Sequence, residues 1–202
     1  MRFNGTLTSA ICPPAFLKKL ILGVCVRVFL LVALFATVTR PLECRAQNAG
    51  QREYEIKAAY LYNFINYIGW AAGALPPEGG NITIGIVGEC PYAAAFAPLN
   101  GKQIKGRKLV VKPVASTNDL EQCQIVFICG SEKSRLSEYL GQLKDAKLLT
   151  VSEIDGFAEQ GGVINFISER NKVRFEINPE AARRAGLTIS SELLKLAKLV
   201  KP

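Results

Sequence analysis

The sequence predicts an α/β fold, and three observations carry the prediction. Between residues 81 and 151, short apolar runs (82–87, 109–113, 125–129 and 148–151) alternate with helical or turn-like segments, the pattern of parallel strands covered on both faces. Two alternating runs, 163–167 and 173–177, flank the polar turn 168–171, which is how an antiparallel hairpin reads. Ahead of the first strand, residues 52–71 repeat apolar side chains at helical spacing. Together these give a small, open, mainly parallel sheet with Rossmann-like three-layer packing, an N-terminal amphipathic helix, and a C-terminal β-hairpin followed by two helices.

Taken in order, Arg2, Lys18, Lys19 and Arg27 precede an uncharged apolar stretch, 28–38, and Cys44-Arg45-Ala46 offers small residues where a signal peptidase reads. The expectation is a cleaved signal peptide over 1–46 and a single domain over 47–202. A retained membrane anchor over 20–38 would bury Arg27 at a cost of about 2.5–3.5 kcal/mol, and Glu43 stands before Cys44 where a lipoprotein signal wants a small residue. Cleavage removes 46 of 202 residues and leaves 156, enough to bury roughly 70% of the unfolded surface. It also removes six of 25 basic residues and one of 17 acidic ones, so the net charge falls from +8 to 19 minus 16, or +3. That is an ordinary solubility charge, without basic runs interleaved with aromatics, and it argues against nucleic acid as a partner.

In the helix 52–71, Ile56, Ala59, Tyr60, Phe64, Tyr67 and Ile68 form one stripe, expected to face the core. Tyr54, Leu61, Tyr62, Ile65 and Trp70 extend the apolar character to the opposite side, a candidate partner surface if not itself buried. Residues 73–80, with Pro76-Pro77, break the helix. Right-handed crossovers make 2-1-3-4 the economical order for the four parallel strands, with the hairpin adding antiparallel strands at one edge. After the hairpin, Asn178-Pro179-Glu180 reads as N-cap, rigid first position and acid at the positive end of the helix dipole. Gly186 reads as a left-handed C-cap. Ser190 or Ser191 starts a last helix, with Leu193, Leu196, Ala197 and Val200 expected on one face.

The chain holds no histidine, which excludes Ser-His-Asp and Cys-His catalysis and histidine metal sites. Gly85-Ile86-Val87-Gly88 lacks the spacing of a dinucleotide loop and reads as turn chemistry. Asp119, Glu121, Glu153, Asp155 and Glu159 fall in loops with nothing to order them as a pair, so no enzyme and no cofactor is expected. Three cysteines follow the cleavage point: Cys90, Cys123 and Cys129. Cys90 and Cys129 lie at the carboxyl ends of neighbouring strands, whereas Cys123 and Cys129 sit at opposite ends of one strand, too far apart to bond. A Cys90–Cys129 disulfide with Cys123 as a buried free thiol is expected; Cys90–Cys123, or three reduced cysteines, are the competing readings.

The ordered set Phe157, Gly161-Gly162, Ile164-Asn165-Phe166, Arg174-Phe175-Glu176-Ile177-Asn178, Ala182-Arg183-Arg184-Ala185-Gly186-Leu187 and Leu193-Leu194-Lys195-Leu196-Ala197 resembles the C-terminal signature of the YfiR-like periplasmic proteins. The likeness continues upstream through 57–70, 85–91 and 123–128. It implies a periplasmic inhibitor that binds the outer region of an inner-membrane diguanylate cyclase, or a similar receptor, and lowers cyclic-di-GMP and biofilm formation; an outer-membrane lipoprotein can relieve such inhibition. The three cysteines depart from the two-pair arrangement of the best-known repressor of that kind. Arg170, Lys172 and Arg174 near the hairpin complete the candidate partner surface, and a homodimer is a further possibility. The alternative function is a small-ligand sensor whose pocket lies at the strand ends, around Gly88, Tyr92, Gly130 and Ser131.

Overall fold

A computed structural model describes residues 40–120 and 122–201. Residues 1–39, most of the expected signal peptide, lie outside the described residues. The chain divides into two compact units, Met1–Asn48 and Ala49–Pro202, and the second carries the architecture described below.

Helix α1 (Arg40–Tyr67) leads into strand β1 (Ile68–Trp70). The sheet strands are β2 (Asn81–Val87), β3 (Gln103–Ile104), β4 (Arg107–Val114), β5 (Ile125–Ile128), β6 (Leu149–Ser152), β7 (Ile164–Glu169) and β8 (Lys172–Ile177). Between them lie a 3-10 segment (Ala93–Leu99), helix α2 (Thr117–Leu120), a second 3-10 segment (Gly130–Arg135) and helix α3 (Leu136–Leu143). The chain closes with α4 (Pro179–Arg184), β9 (Leu187–Ile189), α5 (Ser191–Leu196) and β10 (Lys198–Leu199).

The main sheet runs β10-β8-β7-β6-β5-β2-β4-β3. Its four expected parallel strands appear as β4-β2-β5-β6, the 2-1-3-4 order. The hairpin departs from expectation in one respect: β7 joins β6 in parallel, and only β8 turns back antiparallel. Arg170 and Asn171 make its two-residue turn, both with positive φ (51° and 59°), the backbone whose twist matches that of the strands it joins. Pro113 sits inside β4 without cost. Leu109 N–H donates to Lys102 O and Val111 N–H to Asn100 Oδ1, so residues of that parity face away from β2, and Pro113 lacks a donor only on this outer side.

Alternation along the central strands explains their wholly apolar reading. Ile125 and Phe127 join one buried cluster with Phe64, Phe96, Phe166 and Phe175. Val126 and Ile128 join another with Leu136, Tyr139, Leu143 and Phe157. Each side chain of this size that is fully buried contributes about 1.5–3 kcal/mol.

Helix α1 buries the face that its sequence left ambiguous. Tyr54, Ala58, Leu61, Phe64, Ile65 and Ile68 are in the core, while Ile56 and Tyr67 are each 46% exposed. The stripe expected to face the core is only half right: Phe64 and Ile68 are buried, but the inside face is completed by Tyr54, Leu61 and Ile65 from the other stripe, so the helix is rotated relative to expectation. Phe64 lies where the two stripes meet, with its ring centroid 5.3 Å from Phe175 and 5.9 Å from Phe166. The helix also ends earlier than expected: Ile68–Trp70 becomes a strand paired antiparallel with β9.

After the hairpin, Asn178 Oδ1 accepts the Ala181 N–H (2.9 Å) and its amide donates to Ala158 O (2.7 Å). Gly186 terminates α4 at φ 69°. Ser190 caps α5, accepting from Leu193 N–H at 3.2 Å. That last helix is shorter than its spacing suggests. The chain is extended from Ala197, Leu196 is exposed, and Val200 is buried because its N–H donates to Ile177 O at the sheet edge.

Candidate functional site

Parallel pairing brings the carboxyl ends of β2, β5 and β6 side by side. Cys90, just past β2, and Cys129, just past β5, are joined as a disulfide with Cα atoms 5.3 Å apart. Cys123 is a buried free thiol; its Sγ donates to Asp119 O, and burial raises its pKa. Gly85 lies within β2, in the strand expected over 82–87, and Gly88 (φ 82°) makes the turn beyond it. A Cβ on Gly85 would come within 2.7 Å of the Cys123 sulfur, so glycine makes room for that side chain.

Glu153, immediately after β6, gathers the polar groups of this end. It accepts the Tyr54 hydroxyl at 2.5 Å, Lys57 Nζ at 2.6 Å and the Gly130 N–H at 3.3 Å. Lys57 is only 4% exposed and also pairs with Glu53 at 2.6 Å, so this buried ammonium has two carboxylate partners, as a charge out of water requires. Burial foremost, then the hydrogen bond to Glu153, pushes the Tyr54 phenol far above its ordinary pKa. Tyr54 is therefore fixed as a donor. The cluster fastens α1 over the strand ends.

Of the four residues of the expected ligand pocket, Gly88 packs against Ser131, while Gly130 and Tyr92 adjoin the Glu153–Tyr54 cluster. Gly88 (φ 82°) packs so closely that a Cβ would lie 2.5 Å from both Ser131 Oγ and Glu132 Cγ. Ser131 Oγ accepts the Glu89 N–H, Gly130 is tied to Glu153, and the Tyr92 ring lies 5.6 Å from that of Tyr54. Tyr92 also fills the position a side chain on Gly50 would need, 2.4 Å away. Among the described residues no cluster of three His, Cys, Asp or Glu side chains is placed to hold a metal ion.

Of the expected partner surface, Tyr54, Leu61 and Ile65 are buried in the core and present nothing to a partner. Tyr62 and Trp70 are half-buried against that same core. Arg170, Lys172 and Arg174 are exposed as expected. Two of these, Lys172 and Arg174, line a groove of about 830 Å³ with Arg52, Glu53, Ile56, Tyr60 and Val173. Sequence reasoning assigned Ile56 and Tyr60 to the core and left Glu153 among unordered loop acids. No local signal distinguishes them, because each owes its role to the seating of α1 on the sheet.

A family model described as DUF4154: YfiR/HmsC-like matches residues 54–198. The chain belongs to the YfiR/HmsC-like family. The YfiR-like family is regulatory and periplasmic. A disulfide fits such an oxidising compartment. Among the described residues no helix is long and apolar enough to cross a membrane. No curated protein matches the chain. The fold is similar to that of a conserved domain protein from Vibrio cholerae O1 biovar eltor, at TM-score 0.50 and 13% identity, over 74% of this chain and 60% of that one. The present chain thus spans less than two thirds of that structure. Two further solved structures align at TM-score 0.43: the ABC domain in complex with L-Trp from Streptococcus pneumonia (14% identity, 59% of this chain, 55% of that) and the ligand-free, open CD0873 from Clostridium difficile, a substrate binding protein with adhesive properties (12%, 62% and 55%).

Proposed function

We propose that this protein is exported, cut after Ala46, and acts in the periplasm by binding the outer region of an inner-membrane diguanylate cyclase and holding down cyclic-di-GMP synthesis. The observation that carries the reading is the YfiR/HmsC-like match over 54–198. A bound domain shifts a receptor only through different affinities for its two states, so inhibition follows if this chain prefers the inactive arrangement of the cyclase's outer domain. The exposed basic and apolar groove beside the hairpin offers the contact surface, and an outer-membrane lipoprotein competing for the protein would release the cyclase.

The test is a crosslinking capture from intact cell envelopes with cellular cyclic-di-GMP measured in parallel. Recovery of a membrane cyclase, with the dinucleotide rising on deletion of this protein, is the expected result. Absence of a membrane partner together with unchanged cyclic-di-GMP would overturn the proposal.

A further inference from the structure

The outer edge of β8 is only half covered. Strand β10 pairs with Glu176 and Ile177 alone, and the Val200 N–H donates to Ile177 O. In the antiparallel hairpin, alternate residues direct their backbone groups to opposite sides. Because Ile177 O faces outward, the N–H and C=O of Val173 and the N–H of Phe175 face outward as well. Among the described residues no strand pairs with β8 at these positions. An open edge of this kind is a template for another strand.

What flanks the edge specifies what adds to it. On the α1 side stand Ile56 and Tyr60, which line the groove together with Val173. Lys172 and Arg174, which alternate with Val173, present charge to the opposite face, and Arg52 adds another cation at the groove. Each acid beside the edge has a cation partner: Glu53 pairs with Lys57 at 2.6 Å, Glu169 is the cross-strand neighbour of Lys172, and Glu176, on the face of Lys172 and Arg174, pairs with Lys198 at 2.8 Å. A second copy of this chain is a poor occupant, since antiparallel self-pairing of this edge would set Lys172 and Arg174 of each copy against each other, and facing like charges destabilise a sheet.

Resting on the reading that this chain binds another protein, we propose that the partner is engaged by strand addition: an extended segment alternating apolar and acidic residues pairs with Lys172–Val173–Arg174–Phe175. Its apolar side chains enter the groove over Ile56 and Tyr60, and its carboxylates meet Lys172 and Arg174. Backbone hydrogen bonds supply affinity and the alternation supplies specificity. The added strand ends where β10 begins.

The probe is a labelled eight-residue peptide alternating valine and glutamate, with a valine–lysine peptide as the counterpart, titrated against the exported protein. Saturable binding of the acidic peptide is expected, with hydrogen-exchange protection of the Val173 and Phe175 amides. Lys172→Glu/Arg174→Glu, which alters only exposed side chains, should weaken the acidic peptide about tenfold or more and favour the basic one. Val173→Pro, which removes an outward donor, should abolish protection at Phe175. Binding that leaves these two amides unprotected, binding indifferent to the charge reversal, or no binding of the acidic peptide would each overturn strand addition. Envelope capture separates this from the broader proposal: a cyclase retained equally by wild type and both variants sinks the edge while sparing the regulator. Peptide binding that behaves as described, with no cyclase captured, does the reverse.

Discussion

Reduction of Cys90–Cys129 isolates one covalent contribution to stability. The bond closes a loop across 39 residues of sequence, and chain-entropy arithmetic assigns such a loop about 4 kcal/mol of denatured-state restriction. Native packing should change little, because Cys129 is fully buried among apolar residues and a reduced thiol there behaves as a small hydrophobe. With a urea m-value of about 2 kcal/mol/M for a domain of this size, the unfolding midpoint should fall by about 2 M. The assay is equilibrium urea unfolding with and without reductant, repeated on Cys90→Ala/Cys129→Ala without reductant to separate the bond from the reagent. Both routes should give the same midpoint. A drop under about 0.5 M by both would refute the loop-entropy reasoning and place the stability of this end in the Glu153 cluster instead.

Three further outcomes test that cluster and the C-terminal capping. Glu153→Ala takes one of two carboxylates from Lys57 and the acceptor from Tyr54; with Glu53 still paired, the expected loss is about 2–3 kcal/mol in urea unfolding, below that of a fully orphaned buried charge. Glu153→Gln, whose carbonyl still accepts the phenol, should recover part of it. Tyr54 is held protonated in the fold, with a pKa above its unfolded value near 10, so its contribution is complete below about pH 10 and is lost as pH rises further. Unfolding followed between about pH 9 and 11 should therefore show a shallower decline for Tyr54→Phe, by about 1.4 kcal/mol per pH unit above pH 10. Asn178→Ala deletes an N-cap and leaves the buried Ala158 carbonyl without its donor; a loss of about 2–3 kcal/mol by thermal or urea unfolding is expected.

The chain's own order determined the parallel strand sequence, the hairpin, the caps at Asn178 and Gly186, and the cysteine pairing. Each is either local or follows from a rule that leaves few alternatives: backbone conformations special to a residue type act over three or four positions, and right-handed crossovers leave one economical arrangement for four parallel strands. Once β2 and β5 are neighbours, Cys90 and Cys129 have little choice. Tertiary structure alone decided which face of α1 is inside, because Ile56 and Leu61 are equally hydrophobic and only the seating of the helix on the sheet buries one and exposes the other. It also decided β1, β9 and β10, since strands of two or three residues carry no periodicity and exist only where a distant edge supplies hydrogen-bond partners. Glu153 and the open half of β8 belong to the same class. One is a surface acid until α1 brings Tyr54 and Lys57 to it, and the other is an ordinary strand until β10 stops two residues along its edge.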